Sequence, residues 1–331
     1  MPSLDLDKIA NTKCLLIGSG TLGCNVARSL MAWGVNNITL IDNGTVSYSN
    51  PVRQTLFTFQ DCLNGGKPKA KAAADALKAI FPSVNSNGIV LSVPMPGHSV
   101  PDNQIPEVIE NIKELERLID ESDVVFQLTD SREARWLPTV ICAAKDKLCI
   151  NAALGFDTFL TMRHGCSPLI DIQEGGKRVG CYFCNDITGP SDSMKNRSLD
   201  QQCTVTRPGV SMIAASSAVE MMVLLLQHPL GNQAPPDIDN DISKPGSTPL
   251  GIIPHHIRGF LSHFSNYLGE GYCYDKCTAC SKVIVNYYKE HGNEFIFKVM
   301  NTPSFLEDIT GLTEILNDDT NECISWDEDD L

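Results

Sequence analysis

Positive charge is scarce in this chain, long apolar runs are missing, and no internal repeat is present. Lysine and arginine number 26 against 40 acidic residues, a net charge of −14. That balance argues against nucleic acid as the main partner; it suits solubility and leaves room for a basic protein partner. No apolar run approaches the roughly 20 residues that a membrane helix requires. Residues 1–12 are polar and acidic, without the pattern of a signal peptide. The expectation is a cytoplasmic protein, not a membrane protein. Cysteine, by contrast, is plentiful: thirteen, an odd number, scattered through apparent helices and strands. Without a secretory signal these read as reduced thiols, some held by metal. A hydrophobic share of 42 % supports a real core, and 331 residues suit about two domains or one large domain with insertions.

The stretch Lys13 to Asp42 organises the rest. Cys14-Leu15-Leu16-Ile17 is a short apolar strand that runs into Gly18-Ser19-Gly20-Thr21-Leu22-Gly23. A helical pattern follows from Cys24 to Val35, with Val26, Leu30 and Trp33 recurring at three- and four-residue spacing. Ile38 to Ile41 is a second strand ending on Asp42. Gly18 permits the tight turn, Gly20 lets the backbone approach a phosphate, and Gly23 lets helix and strand pack closely. The helix start offers free N–H groups to an anion, and Asp42 sits where a ribose hydroxyl needs an acceptor. A plain packing turn is the competing reading. The motif does not say which nucleotide.

The spacing further predicts a helix over Lys69 to Phe81, a third strand over Gly88 to Val93 and a helix over Glu107 to Ile119. It then predicts a strand from Asp123 to Leu128, a helix from Arg132 to Ala144, and strands at Leu148 to Ala153 and Phe156 to Gly165. This alternation implies a Rossmann-like, doubly wound, mostly parallel α/β sheet with helices on both faces. Ligands bind off the carboxyl ends of such strands, so Asp42 and Asp130 could share one site. Regularity then declines. Asn185 to Gln202 reads as a mobile polar loop, and Val210 to Gln227 as a helix apolar nearly all round and therefore buried. Gly231 to Pro249 reads as a flexible linker, Val283 to Val299 as mixed short elements, and the tail from Leu316 as acidic and disordered.

Two CxxC pairs stand out, Cys181/Cys184 and Cys277/Cys280. Two pairs fit a tetrahedral four-cysteine zinc site, each supplying two thiolates from one turn. A redox pair and buried free thiols compete with that reading, and Cys273 is a fifth candidate of poorer spacing. Arg53 and Lys69 place cations just after the second strand. Such residues are usually solvated, but attack on an α-phosphate with departure of pyrophosphate needs positive charge on the phosphate oxygens. Asp130 could hold the Mg²⁺ that bridges them. Cys203, between the polar loop and the apolar helix, is either a nucleophile or a small, partly buried residue.

Gly18 to Gly23, Asp42, Ser49 to Gln54, Pro68-Lys69-Ala70 and Asp130 to Arg135, taken with the paired CxxC, resemble the ubiquitin-activating superfamily. That superfamily includes the adenylyltransferases of molybdopterin and thiamine synthesis. Asn50-Pro51-Val52-Arg53-Gln54, Arg135 to Pro138, Asn151 to Asp157, Met162 to Gly165, Gly180 to Cys184 and Leu199 to Gly209 resemble, more narrowly, its autophagy branch. The match spans about Lys13 to Leu312. The resemblance implies that Mg-ATP and the C-terminal glycine of an autophagy ubiquitin-like modifier give an acyl-adenylate, which a catalytic cysteine, falling on Cys203, converts to a thioester. It places Asp42 on the ribose acid, Asn50, Arg53, Gln54 and Lys69 on the phosphate set, and Asp130 on the Mg-linked aspartate. It adds Arg135 to the nucleotide set, and Cys181, Cys184, Cys277 and Cys280 fall on the zinc ligands. Ser19, where the family often has alanine or leucine, is a small departure.

The resemblance also implies a homodimer and hand-over to conjugating enzymes recruited by a separate N-terminal domain, this chain being the catalytic portion. On that footing residues 1–312 form the adenylation domain, with a crossover loop at about 185–205 and an insertion at about 231–249. Residues 313–331 form an acidic tail, with Asp327 to Asp330 suited to a basic modifier surface or simply to solubility. The crossover loop is expected to reorder between adenylation and thioester formation. Three alternatives remain: a sulfur-carrier adenylyltransferase without a thioester, an NAD-dependent oxidoreductase, and an inactive partner subunit. The second leaves Arg53, Lys69, Asp130 and the CxxC pairs unexplained; the third predicts the loss of residues that are present.

Overall fold

Strand β1 (Lys13–Ile17) buries its last four residues in succession, as a strand covered on both faces must. The computed structural model describes residues 4–172, 176–192, 205–238, 241, 243 and 245–319. A short helix α1 (Leu6–Asn11) precedes β1. There follow α2 (Thr21–Ala32), β2 (Asn37–Ile41), α3 (Lys69–Ile80), β3 (Asn85–Ile89), α4 (Ile105–Glu121), β4 (Val124–Gln127), α5 (Arg132–Lys145), β5 (Leu148–Leu154) and β6 (Thr158–Arg163). The second half holds α6 (Pro208–Gln227), β7 (His256–Phe260), β8 (Ser265–Gly269), α7 (Lys282–His291), α8 (Asn293–Asn301), α9 (Phe305–Thr310) and α10 (Leu312–Asp319).

One eight-stranded sheet runs β3-β2-β1-β4-β5-β6-β7-β8. Pairings from β3 to β5 are parallel, and those from β5 to β8 are antiparallel. The doubly wound, mostly parallel α/β architecture expected from the alternation is therefore present. Apolar side chains from α2, α3 and α6 cover one face of the sheet, around Leu16, Leu40 and Phe126. Those from α4, α5, α7, α8 and α9 cover the other, around Leu15, Ile17 and Val125.

Several expectations change. The third strand lies at Asn85–Ile89 rather than Gly88 to Val93, because pairing with β2 runs Asn37↔Asn85 to Ile41↔Ile89 through main-chain bonds that a polar edge strand can make. The run from Val283 to Val299 forms two helices, α7 and α8, divided at Gly292 with φ of +51°. In the segment Gly231 to Pro249, the Asp237 carboxylate accepts the Ile253 N–H at 2.8 Å and Ala234 is buried, so these described residues pack on the core. Residues 313–319, expected to open a tail, are helical in α10. Residues 320–331 lie outside the described set.

Helix α6 departs most. It is long and apolar enough to cross a membrane by length and composition, with a mean hydropathy of 1.8, contrary to the expectation that no stretch is. It packs on β5, β6 and α2, and only 56 % of its most apolar window is buried. The other face, with Met212 and Ile213, is exposed. Full burial fails because the sheet covers one side of the helix only.

Trp136 on α5 is 1 % exposed, and its indole N–H donates to the Thr278 carbonyl at 2.9 Å, inside the second CxxC. Trp136→Phe removes that donor, orphans a buried carbonyl and leaves a gap. The expected cost is about 1–3 kcal/mol in denaturant unfolding; a loss below about 0.5 kcal/mol would show that the contact carries no stability.

Candidate functional site

The chain leaves β1 at Gly18, whose φ of +112° L side chains rarely adopt. A Cβ on Gly23 would lie 2.1 Å from the Gly18 carbonyl oxygen, so this glycine lets α2 close onto the turn. Gly20 differs. The nearest atom to a Cβ there is the Gln54 amide nitrogen at 3.9 Å, so this position faces space that a ligand can enter. Helix α2 starts with no side-chain cap and no acid in its first turn, which leaves its leading N–H groups open to an anion.

Asp42 follows β2. One carboxylate oxygen accepts the Ser19 N–H and the other the Gly44 N–H, both at 2.7 Å. The loop beyond then folds back: the Lys69 N–H donates to the Gly44 carbonyl at 2.9 Å. The Lys69 side chain runs along Gly44, its Cδ and Cε 3.6 and 3.7 Å from where a Cβ would stand. Asn50 and Gln54 are each only 5 % exposed. The Asn50 side-chain oxygen accepts the Ser47 N–H at 3.0 Å, and the Gln54 N–H donates to the Asn50 carbonyl at 2.8 Å. Arg53, on the outside of this turn, is exposed and donates to the Ser49 carbonyl.

Asp130 is exposed just past β4. Because β4 pairs with β1 in parallel register, Ile17 against Gln127, and the Leu128 N–H donates to the Ile17 carbonyl at 2.9 Å, Asp130 emerges beside the glycine turn. Arg135 is placed differently. It is 4 % exposed, donates to the Thr129 and Ala152 carbonyls and stacks 4.9 Å from the Tyr182 ring centroid. Burial lowers its pKa. It braces the ends of β4 and β5 through main-chain oxygens. Cys203 lies outside the described residues.

Three buried polar atoms around the turn have no partner: Ser19 Oγ, Gln54 Oε1 and Thr129 Oγ1. Orphaned groups of this kind mark a place where a polar ligand belongs. Together with the open helix start and the unobstructed Gly20, they fit a nucleotide. Gln54 was in the expected set. Ser19 and Thr129 were not: a serine inside a glycine motif and a threonine after a strand carry no spacing signal of their own.

The four cysteines meet on the other side of the sheet. Cys181, Cys184, Cys277 and Cys280 are buried, with sulfurs all within 4.8 Å of one another. Sγ separations are 3.6 Å for Cys181–Cys277, 3.4 Å for Cys184–Cys280 and 3.8 Å for Cys181–Cys184. A tetrahedron of thiolates about 2.3 Å from a central ion has edges of about 3.8 Å, so the set could hold a metal. Hydrogen bonds from neighbouring thiols, Cys181 first, push the Cys184 thiol far below its ordinary range. Two residues not singled out in the sequence support the cluster. Arg178 donates to the Cys280 carbonyl at 3.4 Å, and the His255 ring bonds the Gly180 carbonyl at 3.0 Å. Cys273 Sγ stands 3.5 Å from that of Cys280, outside the tetrad.

A ThiF-family model matches residues 1–244. This chain belongs to the ThiF family. Among curated relatives, "Ubiquitin-like modifier-activating enzyme atg7" of Dictyostelium discoideum is 53 % identical over 339 residues, covering 99 % of this chain and 48 % of the relative. "Ubiquitin-like modifier-activating enzyme ATG7" of Homo sapiens is 51 % identical over 356 residues, covering 100 % of this chain and 50 % of the relative. The chain thus spans about half the length of the curated relatives it matches. Of solved structures, E. coli MccB with ATP aligns with a TM-score of 0.56 at 18 % identity, over 83 % of this chain and 68 % of that one. PaaA aligns with a TM-score of 0.54 at 16 % identity, over 81 % and 66 %. These two share the fold. ThiF-family membership implies use of ATP.

For this ThiF-family chain, elemental analysis is expected to find one metal ion per chain. Cys277→Ser should lose it and lower Tm by roughly 5 °C or more, since metal binding to such a site is folding energy. A metal-free protein with an unchanged Tm would mean that the thiols pack without an ion.

Proposed function

We propose that this chain activates an autophagy ubiquitin-like modifier, first as an acyl-adenylate and then as a thioester on Cys203. The observation that carries the reading is the gathering of the glycine turn, Asp42, Lys69, Gln54 and Asp130 at the carboxyl edge of one sheet in a ThiF-family chain. The 51–53 % identity to enzymes named as ubiquitin-like modifier-activating supports the substrate class.

In the first step a carboxylate oxygen of the modifier's C-terminal glycine attacks the α-phosphorus of ATP, and pyrophosphate leaves. Asp42 keeps lone pairs beyond its two N–H partners for the ribose hydroxyls. The N–H groups at the start of α2, with Asn50 and Gln54, cradle the phosphates. Arg53 and Lys69 offset the charge that grows on the leaving oxygens, which favours the transition state over the bound substrate. Mg²⁺, held through Asp130, would neutralise the same oxygens. In the second step the Cys203 thiolate attacks the acyl carbonyl and AMP departs with its bonding pair, leaving the modifier as a thioester. Zinc held by Cys181, Cys184, Cys277 and Cys280 would be structural, since four protein ligands leave no open position.

The protein is further proposed to work as a cytoplasmic homodimer, with residues 1–312 as the adenylation unit and conjugating enzymes recruited through a separate N-terminal domain. None of the described cysteines is joined in a disulfide, which suits a reducing compartment. The exposed side of α6 borders a groove of about 520 Å³ lined by Met212, Ile213, Met221, Leu224, Ile257 and Leu268. A second copy would cover it.

ATP–pyrophosphate exchange tests the first step. Lys69→Ala and Arg53→Ala are each expected to lower it by about 10²-fold. Cys203→Ser should keep exchange but lose the ATP-dependent, thiol-sensitive adduct with a glycine-terminated modifier on a non-reducing gel. Exchange without any adduct in the wild-type chain would identify an adenylyltransferase of the sulfur-carrier kind. Sedimentation tests the assembly: the wild-type chain should be a dimer and Ile213→Glu a monomer, whereas a dimeric Ile213→Glu would place the interface elsewhere.

A further inference from the structure

Arg135 breaks two local rules at once. It is the fourth residue of α5, near the end of the helix where the backbone dipole disfavours a cation. It is also buried, and no carboxylate pairs with it among the described residues. A buried guanidinium without an acid is costly and has to be held by other groups. One nitrogen, Nη2, donates to the Thr129 carbonyl at 2.5 Å and lies 3.3 Å from the Ala152 carbonyl; Nε finds no partner. The remaining support is the face of Tyr182, whose ring centroid stands 4.9 Å from Cζ.

Tyr182 is the second residue of the first CxxC turn, and that turn is well tied. The Cys184 N–H donates to the Cys181 carbonyl at 3.1 Å, and the Tyr182 N–H to His164 Nε2 at 3.3 Å. The Phe183 ring, fully buried, meets the Tyr182 ring edge-on at 5.2 Å. Just beyond, the Asp186 N–H donates to the Phe183 carbonyl at 3.2 Å, and the Asp186 carboxylate accepts from Arg132 at 2.7 Å. Residues 181–186 therefore grip the first turn of α5 at two places, Arg132 and Arg135.

The residues directly before that turn are Thr129, Asp130 and Ser131. Arg135 holds the Thr129 carbonyl, and Ser131 is the N-cap of α5, its hydroxyl accepting the Ala134 N–H at 3.3 Å. Both neighbours of Asp130 are thus fixed, while Asp130 itself is exposed. We infer that Tyr182 is a positioning residue for Asp130: by holding Arg135 against the Thr129 carbonyl, it fixes the main chain from which that carboxylate projects. The inference rests on the reading of Asp130 as the magnesium-linked acid of adenylation. Burial lowers the Arg135 pKa, whereas Tyr182 and then Asp130 raise it, as groups close to the guanidinium do. Mg²⁺ demands near-ideal octahedral geometry, so an acid that holds it tolerates little displacement. Asp42 and the start of α2, which serve the nucleotide itself, are built on the exits of β1 and β2 and do not depend on α5. Loosening Arg135 therefore weakens the hold on Mg-ATP and spares the hold on ATP alone.

Calorimetric titration of the full chain with ATP, with and without Mg²⁺, separates the two. Tyr182→Leu removes the ring face and keeps an apolar side chain. It is expected to bind Mg-ATP about three- to tenfold more weakly than the wild-type chain, and ATP in magnesium-free buffer within about twofold of it, as loss of one ring–guanidinium contact allows. Tyr182→Phe keeps the ring and should match the wild-type chain in both titrations. Unchanged Mg-ATP affinity in Tyr182→Leu would overturn the inference. An equal loss with and without Mg²⁺ would do the same, since Tyr182 would then be a packing residue, as would a Tyr182→Phe as weak as Tyr182→Leu. Each of these outcomes leaves the role of Asp130 standing. A wild-type chain that binds ATP equally well with and without Mg²⁺ would overturn that role and the inference together.

Discussion

One carboxylate holds the nucleotide side of this molecule together. The Ser19 N–H comes from the exit of β1, and the Gly44 N–H from the exit of β2; both converge on Asp42. Two adjacent strands and the loop that returns to Lys69 thereby share a single charged acceptor. Charge-assisted hydrogen bonds of this length are among the stronger polar contacts a protein makes. The glycine turn consequently keeps its shape without help from a ligand, and the Lys69 side chain lies along the loop that the same carboxylate fixes. On the proposed reading the same acid also meets the ribose, which couples the two tasks: any change that frees it for one loosens the other.

The cysteine tetrad does for the opposite face what Asp42 does for the first. It joins segments 96 residues apart in sequence, Cys181 to Cys277 and Cys184 to Cys280. Trp136 reaches from α5 to the Thr278 carbonyl within it, and α7 begins directly after Cys280 at Lys282. The helices α7 to α9, each ten residues or fewer, would be marginal alone. They are held because their apolar sides, Phe295 and Leu306 among them, close against α5 and the cluster.

How much of this was legible in the sequence depended on where each signal is stored. The central strands are fully covered, so Leu15-Leu16-Ile17 and Val124 to Phe126 announce themselves as apolar runs. The glycine motif, Asp42 and the paired cysteines were readable because turn geometry and metal geometry demand residue types at fixed spacing, whereas Lys69 was singled out by its neighbourhood and by the family resemblance. β3 was misplaced because an edge strand is specified by main-chain pairing, and Asn85 and Asn87 give no apolar alternation. β7 and β8 are not marked in the sequence as strands: they lie among histidines, glycines and exposed tyrosine, without the periodicity of a buried strand. The open side of α6 was hidden by its composition, since an all-round apolar helix reads the same whether its own sheet or another surface covers it. The orphaned hydroxyls of Ser19 and Thr129 are facts of three-dimensional placement alone.

A metal held by the tetrad has a consequence for how this architecture tolerates change. It would turn residues 185–276 into a closed loop whose two feet are fixed, and that loop contains α6, β7 and β8. Closing a loop costs free energy that grows only logarithmically with its length, so doubling it adds about 0.6 kcal/mol. Solvent-facing polar positions within the loop can therefore lengthen or shorten with little effect on the cradle, because the feet, not the contour, define the frame.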